Sequence, residues 1–161
     1  MKSFQNLPDS SRIWIYNSSR PFTEDEIIII RNDGVLFIKD WTSHGALMMA
    51  QIDVLYDRFI VLALDESAAN SSGCGIDKSV RFIKNIGEKI NTDLFQRTTV
   101  YFRSSENLKS VPIHEFWAMK KAGIIEEQTI IFDNTIQTLG ALRSKWEIPF
   151  CESWHQEMWS R

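Results

Sequence analysis

The chain has 161 residues, 43% hydrophobic and 24% charged, with only seven Gly and four Pro, so disordered, collagen-like and low-complexity classes are excluded. Its 21 acidic and 18 basic side chains leave a net charge of -3, with no basic footprint for a phosphate backbone, so nucleic acid is not expected as a partner. The longest unbroken apolar run, 59–64, is far too short for a membrane span, so membrane insertion is not expected either.

The length suits a single α+β domain over 1–161. Six Trp and ten Phe point to a well-packed interior. Two cysteines, Cys74 and Cys151, are too few for a disulfide scaffold, and residues 1–16 hold no apolar core of signal-peptide length. A cytoplasmic protein with intracellular thiols is the expectation.

In chain order, Arg12-Ile13-Trp14-Ile15-Tyr16 is a strand, ended by the turn chemistry of Asn17-Ser18-Ser19. Residues 26–38 present a fork. Four consecutive Ile and the Asn32-Asp33-Gly34 sequence suit a hairpin. Against this, Thr23 and Glu26 have capping-box spacing, and Ile27, Ile30, Gly34, Phe37, Ile38 and Trp41 form a helical stripe straight through the supposed turn. The stripe decides for a helix. Alternation at Ala50, Ile52, Val54 and Tyr56 predicts a half-buried edge strand, able to pair across a homodimer. Residues 59–64, apolar on both faces, predict a central strand.

A small polar loop over 68–75 precedes a second helix marked by Ile76, Val80, Ile83, Ile86 and Ile90, and 98–102 reads as a fourth strand. The order β-α-β-β-α-β predicts a ferredoxin-like core over about 10–104, with an α/β extension over 105–161. In the extension, a helix over 113–122 stopped by Gly123, a strand over 129–132 and a helix over 138–146 are expected. The tail carries Trp154 and Trp159 and is expected to cover apolar surface, of this chain or of another subunit.

That topology places the loops over 40–45 and 70–79 at one end of the sheet. Loops on a rigid scaffold are where chemistry concentrates. The first holds Asp40-Trp41-Thr42-Ser43-His44-Gly45 and the second Ser72-Gly73-Cys74-Gly75-Ile76-Asp77. A thiolate before a helix is stabilised by the helix N-terminus, so Cys74 with His44 has the logic of a nucleophile and its base, with Asp40 or Asp77 orienting the imidazole. The competing reading is a small buried thiol beside an ordinary helix cap, Ser72 or Asp77, and it is the commoner situation.

Gly73-x-Gly75 between strand and helix also allows backbone N–H groups to approach a small anion, with Trp41, Ser43, Ser72 and Ser79 around it. The third glycine of a dinucleotide fingerprint is replaced by Lys78, and no Gly-Lys-Ser/Thr is present, so ATP hydrolysis is not expected. Cys151 and His155, four apart, could join Cys74 and His44 at a zinc ion, but the wide spacing of the second pair argues for no metal. No cofactor is called for, and His114 reads as a surface residue.

Four segments occur together in one order: Arg12 to Tyr16, Asp40 to Gly45, Ser72 to Ile83, and Glu152-Ser153-Trp154-His155. With them the chain resembles a bacterial family of small proteins that often carry the name ABC transporter ATPase. That name implies ATP hydrolysis, but the chain has no Walker A loop, no ABC signature and not the length of such a domain. The resemblance brings no catalytic residue with it; it puts weight on the two loops. Three functions follow as expectations: a ligand- or partner-binding module, a cysteine-dependent enzyme, and a phosphate- or nucleotide-binding protein.

Overall fold

The fold opens with β1 (Arg12–Asn17), in a computed structural model that describes residues 3–41, 49–67 and 73–161. Helix α1 (Glu24–Trp41) follows as one uninterrupted helix, so the fork is resolved against the hairpin. Its start is set by both bonds of the capping box: the Glu26 N–H donates to Thr23 Oγ1 at 3.2 Å, and the Thr23 N–H to Glu26 Oε2 at 2.9 Å. Gly34 is there for close approach rather than for a turn. A methyl group at that position would stand 2.6 Å from Ile52 Cγ2, on the strand beneath.

Strands β2 (Met49–Leu55) and β3 (Phe59–Asp65) form an antiparallel hairpin, with Tyr56 and Asp57 both at φ 52° in the turn. The sheet order is β1-β3-β2. Phe59 to Leu64 are all fully buried, as expected of a central strand, and β2 lies at the edge. Helix α2 (Gly73–Lys89) packs Ile83 and Ile86 with Ile30 of α1, Ile60 of β3 and Tyr16 of β1 in one core cluster.

The α+β class holds: the described residues form five helices and two antiparallel sheets. The expected ferredoxin-like sheet, however, lacks its fourth strand. Strand β4 (Thr99–Ser104) lies in a second sheet of order β5-β4-β6-β7. The physical reason is local. A two-residue turn, Ser105-Glu106 with Ser105 at φ 55°, gives β4 an immediate antiparallel partner in β5 (Asn107–Pro112), paired over six residues.

The vacant side of β1 is filled by irregular chain instead. The Asn17 N–H donates to the Leu94 carbonyl at 3.3 Å, and the Ile13 N–H to the Gln137 carbonyl at 3.0 Å. Isolated bridges Asn17↔Phe95 and Arg12↔Thr138 mark the same edge. The chain accordingly forms two compact units, Met1–Gln96 with Gln137–Gly140, and Arg97–Ile136 with Ala141–Arg161. The division falls at Gln96 rather than at about residue 104, because β4 begins the second sheet.

In the second unit, α3 (Ile113–Lys121) buries Phe116 against Val100, Phe102, Ile131 and Phe150. Gly123, at φ 76°, terminates that helix as expected. Strands β6 (Ile130–Phe132) and β7 (Glu147–Pro149) flank α4 (Leu139–Lys145) in sequence, and a 3₁₀ turn at Phe150–Glu152 leads into α5 (Trp154–Trp159). The tail covers apolar surface of its own unit. Trp159 stacks on Trp117 at 5.8 Å, and Trp154 on His155 at 3.8 Å. No described helix is long and apolar enough to cross a membrane.

Candidate functional site

Four chain positions define one end of the first unit: the last residue of α1, Trp41; the first of β2, Met49; the last of β3, Asp65; and the first of α2, Gly73. Met49 and Asp65 are register partners across the hairpin. The indole Nε1–H of Trp41 donates to the Gly75 carbonyl at 3.0 Å, joining the end of α1 to the first turn of α2. The two candidate segments are therefore anchored at a common end.

Aromatic contacts hold that anchor. Trp41, 4% exposed, meets the edge of Trp14 at 6.4 Å and stacks with Phe37 at 5.3 Å; Phe37 stacks with Phe82 of α2 at 4.3 Å. Outside them, the Arg12 guanidinium lies 4.7 Å over the Trp14 ring and 3.8 Å from a Glu66 carboxylate oxygen. Arg12 stands two residues before Trp14, which puts both on one face of β1.

The proposed ligands divide. Trp41 and Gly75 meet, as a structural strut rather than an open surface. Asp77 is exposed in α2. Ser79 points the other way: it is fully buried, its hydroxyl donates to the Ile76 carbonyl at 2.7 Å, and it hydrogen-bonds Tyr16. Its place in the apolar stripe of α2 explains this, and it is corrected from a ligand to a core residue. Tyr16 itself has its phenol pKa raised by burial, an effect the Ser79 bond opposes.

Cys74 belongs to the first turn of α2 and not to a loop before it; its thiol, with Ser43, His44 and Ser72, lies outside the described residues. Asp40 is exposed.

The two helix starts differ electrostatically. Helix α1 carries Glu24, Asp25 and Glu26 in its first turn, whereas the first turn of α2 has no acidic residue. The first turn of α2 thus adds no carboxylate of its own to the positive end of that helix dipole. Elsewhere, Arg20 grips Glu26 with bonds of 2.7 and 2.8 Å, and together with the Thr23 bonds this holds the Glu26 carboxyl down at about 2.

A second buried group is His155, which the sequence offered as a zinc ligand beside Cys151 and not as a member of an aromatic core. His155 is 2% exposed among Phe116, Trp117 and Trp154, and its Nδ1 has no hydrogen-bond partner among the described residues. Burial lowers its pKa to about 4, against a weaker opposing pull from the Asp133 carboxylate. The signal was present in the aromatic pair Phe116-Trp117 and the Trp154-His155-x-x-x-Trp159 spacing, which place rings on facing helices. Cys151 is exposed and its Sγ accepts from Gln128 Nε2 at 3.7 Å; among the described residues no His, Cys, Asp or Glu group is arranged for a metal. Compared with protein-family models, curated proteins and solved structures, the chain matches none.

Proposed function

We propose that this chain is a small cytoplasmic binding module whose ligand, a small anion, or whose partner docks on segments 40–45 and 70–79. The observation that carries the reading is the Trp41 Nε1–H bond to the Gly75 carbonyl, which fastens the end of α1 to the first turn of α2 and so one segment to the other. The first turn of α2, free of carboxylates, supplies oriented N–H groups and a partial positive charge to that end. Two of the four segments that carry the resemblance to the bacterial family, 40–45 and 72–83, fall at the same place and support it. Titration with inorganic phosphate, followed by ¹⁵N–¹H spectra, tests it. Saturable shifts of the Gly73 to Asp77 amides and of the Trp41 indole are expected; spectra indifferent to phosphate up to millimolar concentration sink the anion reading.

A second reading, a cysteine-dependent enzyme using Cys74 with His44 and Asp77, is favoured by one fact: Cys74 stands in the first turn of α2. Alkylation of the Cys151→Ser protein should then give a Cys74 midpoint below the ordinary value of about 8.5, raised by His44→Ala. A thiol that reacts only after unfolding eliminates this enzyme.

A further inference from the structure

Helix α1 is apolar on more than its buried side. Ile28, Val35 and Leu36 are 55%, 67% and 67% exposed, on the face turned away from the sheet. At about 3.6 residues per turn, Asp25, Ile28, Asn32, Val35, Leu36 and Lys39 all fall within about 60° of a line through Asn32. The steps 25, 28, 32, 35 and 39 alternate three and four, the spacing of a helix seam that packs against another helix. All six are exposed. Scattered exposed apolar residues are ordinary, but three in one seam are not.

The charges of α1 point to the occupant. Away from the seam, Glu26, Arg31 and Asp33 are paired within the chain, to Arg20, Asp53 and Lys89. On the seam, Asp25 and Lys39 have no ion pair among the described residues. They stand one at each end, with Asn32 midway between them in sequence. A second copy of α1 laid antiparallel about a two-fold axis at Asn32 sets Asp25 opposite Lys39 of that copy at both ends. The same operation sets Ile28 opposite Leu36, and opposes the two helix dipoles. Glu24 and Asp40 also come into register, but about 80° round the helix from Asn32, off the contact.

We infer that this chain forms a symmetric homodimer through the Asp25-Ile28-Asn32-Leu36-Lys39 seam of α1, antiparallel to its counterpart in a second copy. The inference is independent of the ligand reading, because no residue of segments 40–45 and 70–79 belongs to the seam. It also differs from pairing through the edge of β2. There the Val54 N–H is already bound to the Asp53 carboxylate at 2.7 Å, and the Ser3 hydroxyl reaches the same carboxylate.

Sedimentation of the full chain from micromolar to near-millimolar concentration tests it, with circular dichroism confirming each variant folded. The unaltered chain is expected to dimerise, and Ile28→Asp and Leu36→Asp to remain monomeric. Asp25→Lys and Lys39→Asp should each weaken the dimer roughly tenfold, while the double reversal restores it to within about threefold. Four results would overturn the assignment. They are a chain monomeric throughout, a dimer indifferent to Ile28→Asp, single reversals without effect, or a double reversal no better than the single ones.

Discussion

A single indole carries much of the geometry at the end where α1 stops and α2 starts. Trp41 is the last residue of its helix, yet it is buried, edge-on to Trp14, and bonded to a carbonyl of the next helix. Phe at that position keeps most of the ring contacts and loses the Nε1–H donor. The Gly75 carbonyl, inside α2, retains its helical N–H partner, so no acceptor is orphaned. Trp41→Phe should therefore cost only about 1 kcal/mol, the net value of one such bond, and urea unfolding measures it. A loss above about 3 kcal/mol would show that ring shape, not the bond, holds the two helices. Burial of Trp41 was legible from its helical spacing. Its partner was not, because Gly75 lies 34 residues away and offers only a backbone carbonyl. The same holds for Arg20. The Thr23–Glu26 box could be read from spacing, but Arg20 also reaches the Ile90 carbonyl at 3.2 Å and Thr92 Oγ1 at 2.6 Å, far along the chain.

Among the elements, α1 shows what periodicity can and cannot settle. Asn32-Asp33-Gly34 is a good turn sequence, and a good turn sequence lost to a continuous apolar stripe, since burying that stripe on β2 and β3 needs every turn of the helix. At Gly34 the helix approaches Ile52 of the sheet so closely that no side chain fits without a shift. Alanine there gains helix propensity of about 1 kcal/mol. It also drives a methyl group to 2.6 Å from Ile52 Cγ2, an overlap whose relief by shifting helix or strand costs about 1–3 kcal/mol. The second effect wins, so Gly34→Ala should destabilise. In an Ile52→Ala background the same change should become neutral or stabilising; a cycle with no coupling would remove close packing as the reason for the glycine. The second unit was less legible for the opposite reason. Strand β5 contributes only Leu108 and Val111 as apolar residues and ends in Pro112, and β7 is three residues long. Neither shows a period. Their strands exist because β4 and β6 present partners, and a hairpin partner drew β4 out of the first sheet.

At the scale of the molecule, the two units have separate core clusters and separate acid-sensitive groups, and this gives them different pH limits. In the second unit, His155 sits neutral in a ring cluster with its pKa lowered to about 4. An unfolded chain takes up that proton nearer pH 6.5, so between the two values the unfolded state binds more protons and stability falls as pH falls. The full loss is about 3 kcal/mol by pH 4, at about 1.4 kcal/mol per pH unit, and none of it is felt well above pH 6.5. In the first unit, Glu26 has its pKa lowered to about 2 from 4.5 by Arg20 and the helix cap. The stabilisation from that group is present above the unfolded value and is lost only as pH falls from about 4.5 towards 2. The second unit should therefore weaken first. Indole N–H signals report each unit: Trp14 and Trp41 for the first, Trp117, Trp154 and Trp159 for the second. In urea series across pH 7 to 4, the midpoint read from the second set should drop while that of the first set holds. His155→Phe keeps a ring among Phe116, Trp117 and Trp154 but has nothing to protonate, so it should remove that drop and leave the first unit unchanged. Stability of the second set that is flat between pH 6.5 and 4 would refute the role given to His155. Midpoints that fall together in both sets, and are restored together by His155→Phe, would instead mean that the two units unfold as one cooperative block.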